Sequence, residues 1–136
     1  MKMKENNFSI LYVEDEIETQ EAIQSILETY FKKVFVANNG EEGLSIYNQE
    51  SPDIVISDIS MPVMDGLVMA EEIKKIKSTQ VLALFTAFND PAYLKKAAQL
   101  NIDTYMMKPL NREQFFNSLS FLVLTLEMEN EGVANE

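Results

Sequence analysis

Four short apolar runs in this chain each stop at a polar residue of a different chemical kind. FSILYV stops at Glu14-Asp15, DIVIS at Asp58, VLALF at Thr86, and TYMM at Lys108-Pro109. Short runs rich in β-branched and aromatic side chains, bounded by turn residues, read as strands. A fifth run, KVFVA at 33–37, completes the set. DIVIS, apolar on both sides, suits the middle of a parallel sheet covered by helices on both faces. The carboxyl ends of the runs then lie on one edge, where an open α/β sheet binds its ligands.

The segments between the runs change period. After Glu16, residues Ala22, Ile23, Ile26, Leu27, Tyr30 and Phe31 recur at helical spacing and predict one core-facing stripe. Asn38-Asn39-Gly40 reads as a turn, and a helix over roughly 41–49 ends near Ser51-Pro52. The loop SMPVMDG follows DIVIS, with Asp65 as N-cap of a helix carrying Met69, Ala70, Ile73 and Ile76. Asn89-Asp90-Pro91 opens the next helix, DTYMMK is the fifth strand, and Asn111 caps a last helix from about 112 to the high 120s. Strands alternating with helices form right-handed βαβ units. Five of them predict a flavodoxin-like α/β fold, a five-stranded parallel sheet of order 2-1-3-4-5 with five flanking helices. Residues 1–128 are expected to form one domain, and 129–136 a tail or linker.

Composition narrows the chemistry. Without histidine or cysteine the chain lacks the usual general base, a thiolate nucleophile and the common transition-metal ligands. A metal here is then a hard, oxygen-liking one such as Mg²⁺. The net charge of −11 argues against direct nucleic acid binding. The N-terminal apolar stretch is too short for a signal peptide, and no run reaches membrane-spanning length, so no membrane insertion and a cytoplasmic location are expected.

In the order 2-1-3-4-5, Glu14, Asp15, Asp58, Thr86 and Lys108 converge. Three close carboxylates repel one another, and a bound divalent cation relieves that repulsion. Asp58 stands alone at the end of the central strand, which favours it as a nucleophile toward a phosphoryl group. Glu14 and Asp15 are then the metal pair. Thr86 can donate to a phosphoryl oxygen once one is present, and Lys108 can hold another.

With these residues in view, the chain resembles the receiver domain of two-component response regulators, the CheY-like fold, over about 8–126. The resemblance rests on Glu14-Asp15, Asp58, MPVMDG after it, Thr86-Ala87 and Lys108-Pro109. It implies phosphotransfer to Asp58, with Mg²⁺, from a sensor histidine kinase or phosphotransfer protein. It implies that Thr86 moves toward the phosphoryl group while Tyr105 swings inward, remodelling the face of the fourth helix, fifth strand and fifth helix for a downstream effector. The backbone carbonyl of Ser60 is implied as a further metal ligand, and the Lys108-Pro109 bond as cis. Phe88, where the family carries polar residues that assist hydrolysis, implies slow self-dephosphorylation. Such a domain is a signalling switch and not an enzyme beyond gaining and losing its own phosphoryl group. A module whose output ignores phosphorylation is the alternative. A phosphatase of the haloacid dehalogenase type is disfavoured, because Ser60 stands where its second acid is needed.

The last helix carries two apolar stripes. Phe115, Leu119, Leu122 and Leu126 are expected to pack on the sheet, while Phe121, Leu124 and Met128 form a second stripe with Phe116 and Val123 beside it. One face needs one stripe. The surplus points to a partner, either a homodimer through this helix or an adjoining domain, unless the end packs back on its own domain.

Overall fold

Burial of the central strands organises the molecule. In the computed structural model, which describes residues 3–86 and 91–135, the elements run β1 (Ser9–Val13), α1 (Ile17–Tyr30), β2 (Lys33–Ala37), α2 (Gly40–Glu50), β3 (Ile54–Asp58), α3 (Gly66–Ile76), β4 (Val81–Thr86), α4 (Pro91–Gln99), β5 (Thr104–Met107) and α5 (Arg112–Asn135). Side chains of residues 93 and 132–135 are not described. Ala87, Phe88, Asn89 and Asp90, which carried expectations above, lie outside the described residues.

The strands form one parallel sheet in the order β2-β1-β3-β4-β5. Every residue of β3 and β4 is buried. Alternate side chains go to opposite faces. Ile10, Tyr12, Ile54, Ile56, Ala83 and Phe85 meet α1 and α5, whereas Leu11, Val13, Val55, Leu82 and Leu84 meet α2, α3 and α4. Each fully buried leucine, such as Leu27 or Leu119, contributes about 2 kcal/mol. Asn39, Asp65 and Asn111 accept hydrogen bonds from the backbone N–H of Glu42, Val68 and Gln114, so three helix starts are fixed by local side chains.

The expected core needs two corrections. The buried stripe of α1 is Gln20, Ile23 and Leu27, and Ala22 faces solvent. Ile76 is 56% exposed, because α3 ends there and has run past the sheet. The last helix also differs. It continues to Asn135 through the stretch expected to be a tail or linker, with no proline to stop it. Phe115, Leu119, Leu122 and Leu126 pack on the sheet as expected, and Phe121, Leu124 and Met128 are exposed.

Candidate functional site

The register brings the polar ends together. Val13 pairs with Ser57, Asp58 with Phe85, and Thr86 with Met107. One further ladder bond at each flank, Glu14 N–H to Ala37 O (3.0 Å) and Lys108 N–H to Thr86 O (2.8 Å), carries the next residue of each strand into the crevice. The crevice lies where the chain order reverses between β1 and β3, the topological switch point.

There, one carboxylate oxygen from each of Glu14, Asp15 and Asp58 lies within 4.8 Å of the other two. Glu14 and Asp58 are buried and Asp15 is exposed. Lys108 donates to Asp58 Oδ2 at 2.6 Å and stands 3.6 Å from Glu14 Oε1. Thr86 is buried at the end of β4. Tyr105 pairs with Leu84 and is half-buried on the face that carries α3 and α4. Ser60 follows in the loop with its side chain exposed, and the Lys108–Pro109 bond is cis.

Three carboxylates against one ammonium leave a deficit of positive charge. Burial, then the Asp58 charge, pushes the Glu14 carboxyl up from 4.5 to about 7, against the Glu16 N–H and Lys108, which pull it down. Burial also pulls the Lys108 ammonium down, but its hydrogen bond to Asp58 and the charges of Asp58 and Glu14 outweigh that, so it stands above its ordinary value. This donor set fits a hard divalent cation, being all oxygen, acidic and only partly neutralised.

The raised Glu14 carboxyl has a consequence for stability. Between 4.5 and about 7 the folded protein keeps a proton that the unfolded chain releases, so without metal this group makes the fold more stable as pH falls through that interval. A tenfold difference in proton affinity is worth ~1.4 kcal/mol, which bounds the effect at ~3 kcal/mol. Urea unfolding in a chelator should show wild type gaining on Glu14→Gln as pH falls. Parallel pH profiles for the two proteins would rule out a raised Glu14.

Sequence reasoning missed three residues that build this site. Gln20 is buried, and its Nε2 donates to Glu14 O (2.7 Å), Asn38 Oδ1 (2.9 Å) and Ala37 O (3.2 Å), clamping the ends of β1 and β2. Its signal was a polar residue in the apolar stripe with Ile23 and Leu27. Gly66 lies so close to β3 that a Cβ there would stand 2.1 Å from the Asp58 carbonyl oxygen. Tyr12 is fully buried, with its hydroxyl directed at Glu14 Oε1. In the loop between β3 and α3, Val63 has φ 69, a costly conformation for a β-branched residue.

The family model described as the response regulator receiver domain matches residues 10–120 of this chain. The chain belongs to that family. Among curated proteins, this receiver is 30% identical over 111 residues to chemotaxis protein CheY of Halobacterium salinarum, covering 82% of this chain and 92% of that one. It is 34% identical over 110 residues to a probable transcriptional regulator of Guillardia theta, covering 81% of this chain and 43% of the relative. The receiver thus spans less than half of that regulator and nearly all of CheY. Among solved structures, a CheY-like receiver domain protein of Methanospirillum hungatei superposes with a TM-score of 0.85 at 23% identity, over 91% of this chain and 99% of that one. Receivers of response regulators act as signalling switches in two-component systems, with histidine kinases and downstream effectors. Among the described residues no helix is long and apolar enough to cross a membrane.

Proposed function

We propose that this receiver takes a phosphoryl group on Asp58 from a histidine kinase or phosphotransfer protein, in a Mg²⁺-dependent reaction in the cytoplasm, and thereby changes the face made by α4, β5 and α5. The observation that carries this reading is the Asp58 carboxylate, 6% exposed and held at 2.6 Å by Lys108, with two further carboxylates beside it. Glu14, Asp15, Asp58 and the Ser60 carbonyl would hold Mg²⁺, which supplies charge neutralisation for the phosphoryl oxygens. An Asp58 carboxylate oxygen attacks phosphorus, so an O–P bond forms as the P–N bond to the donor imidazole breaks and that nitrogen takes a proton. Lys108 then holds a phosphoryl oxygen, as an ammonium already seated at this carboxylate can. Thr86 donates to another, and Tyr105 follows it inward. The exposed stripe of Phe121, Leu124 and Met128 supports association through α5, with a second copy or an adjoining domain.

The test is intact mass after incubation with Mg²⁺ and acetyl phosphate, beside Asp58→Asn. One base-labile, acid-stable phosphoryl adduct on wild type and none on the variant is expected. No adduct on a folded, Mg²⁺-binding wild type would instead favour a module that works without phosphorylation.

A further inference from the structure

We propose that Tyr12 is a positioning residue for metal binding, its hydroxyl fixing the Glu14 carboxylate in the orientation that receives the cation. The inference rests on the proposed role of Glu14 as a metal ligand, and it concerns what holds that ligand in place.

Glu14 follows the end of β1 and continues its ladder through the N–H bond to Ala37 O, two residues on from Tyr12, so the two side chains leave the sheet on the same face. The Tyr12 ring is 1% exposed and meets Phe85 edge-on, with centroids 6.0 Å apart and planes at 77°. A phenylalanine would fill the same space, and the hydroxyl is the only polar atom on the ring. Among the described residues its one hydrogen-bond partner is Glu14 Oε1, at 3.4 Å. This is a long contact for an O–H donor, and so one with room to tighten when the carboxylate is drawn up to a cation.

Glutamate at this place carries one more rotatable bond than aspartate, so more must be done to fix it. The structure supplies an anchor for each oxygen. The Glu16 N–H donates to Oε2 at 3.2 Å and the Tyr12 hydroxyl to Oε1. Lys108 lies 3.6 Å from Oε1 but is engaged at 2.6 Å by Asp58. Without the hydroxyl, Oε1 of a side chain only 2% exposed is left, among the described residues, with the Lys108 ammonium that Asp58 already engages. Donors behind a metal ligand set its orientation, and their loss typically costs about 10–100-fold in metal affinity.

The experiment measures Mg²⁺ dissociation constants by calorimetry on the full chain, with thermal unfolding in a chelator alongside. The proteins are wild type, Tyr12→Phe, Glu14→Asp and the double variant. Tyr12→Phe should bind Mg²⁺ about tenfold more weakly, the low end of that range given the long contact, while its metal-free melting temperature stays within a few degrees of wild type. In the Glu14→Asp background, where the shorter side chain withdraws from the hydroxyl, Tyr12→Phe should change the affinity no further. Equal affinities for wild type and Tyr12→Phe would overturn the proposal while leaving the phosphoacceptor reading intact. A tenfold loss that persists in Glu14→Asp would overturn it too, since the effect would not then run through Glu14. A wild type that binds no Mg²⁺ would overturn both.

Discussion

Gly66→Ala is expected to cost the fold about 3 kcal/mol or more and to disorder the carboxylate crevice around Asp58 with it. The added Cβ would stand 2.1 Å from the Asp58 carbonyl oxygen and 3.1 Å from the Ile59 Cα. Both are backbone atoms at the carboxyl end of β3, buried between β1 and β4. No rotamer change relieves such a contact. Either α3 slides away, losing the Gly66 N–H bond to Ile59 O (2.8 Å), or β3 shifts and takes the Asp58 carboxylate off Lys108. Gly66 does not have positive φ, so the cost is steric and not conformational. Alanine's better helix propensity returns only about 1 kcal/mol. Gly43→Ala is the control. Its Cβ would meet Met69 Sδ at 2.8 Å and Val13 Cγ2 at 2.9 Å, both side-chain atoms, of which the thioether readily moves aside. Urea unfolding should rank Gly66→Ala well below Gly43→Ala. A Gly66→Ala protein within about 1 kcal/mol of wild type would mean that α3 and β3 are not held as close as this.

The contrast between those glycines shows what the chain discloses before it folds. The strands were legible because β1, β3 and β4 are apolar on both faces. That leaves a run such as Ile54–Ser57 little choice but the middle of a covered parallel sheet. The order followed from the alternation of strands and helices, so Glu14, Asp15, Asp58, Thr86 and Lys108 could be placed on one edge, while the register came only from the fold. What was not legible depends on distances across the fold. Gly66 reads as part of a turn in SMPVMDG, and only the docked helix shows that a methyl group has no room. Tyr12 reads as one more aromatic strand residue until Glu14 lies beside its hydroxyl. Gln20 interrupts an apolar stripe, a mark of a buried polar contact, yet its acceptors belong to the ends of two strands. The length of α5 escaped for another reason. The acidic stretch after Leu126 has weak local preferences, and the helix persists there because nothing in it forbids continuation.

Lys108→Met is expected to destabilise the metal-free protein by about 2 kcal/mol near neutral pH, and at the same time to tighten Mg²⁺ binding severalfold. Both follow from one geometry. The Lys108 ammonium is seated between Asp58 and Glu14, 2.6 Å from Asp58 Oδ2 and 3.6 Å from Glu14 Oε1. Methionine keeps most of the stem and its packing but leaves a carboxylate that is 6% exposed without its partner. Breaking a buried pair by removing one member costs about 3–5 kcal/mol, reduced here because the lysine side chain is 27% exposed. The sign of the pH dependence can be worked out. The lysine is held above its ordinary 10.5, so its contribution is fully present at neutral pH and is lost only in strong alkali. Without it, the Glu14 carboxyl loses one of the groups that pull it down and holds its proton still more tightly in the folded state than in the unfolded chain. Lowering the pH through the interval from about 7 to 4.5 should therefore restore stability more steeply in the variant than in wild type. A divalent cation restores it for the same reason, and it no longer meets a resident positive charge or displaces one from Asp58. The variant should thus be weaker than wild type in chelator and nearly equal to it at saturating Mg²⁺, with the lower dissociation constant of the two. On the proposed reading, its phosphoryl adduct with acetyl phosphate should form poorly despite the better metal site, because no ammonium remains to receive the transferred group. Unchanged metal-free stability together with unchanged Mg²⁺ affinity would mean that Lys108 is a solvated charge near the site and not the counter-ion that holds it together.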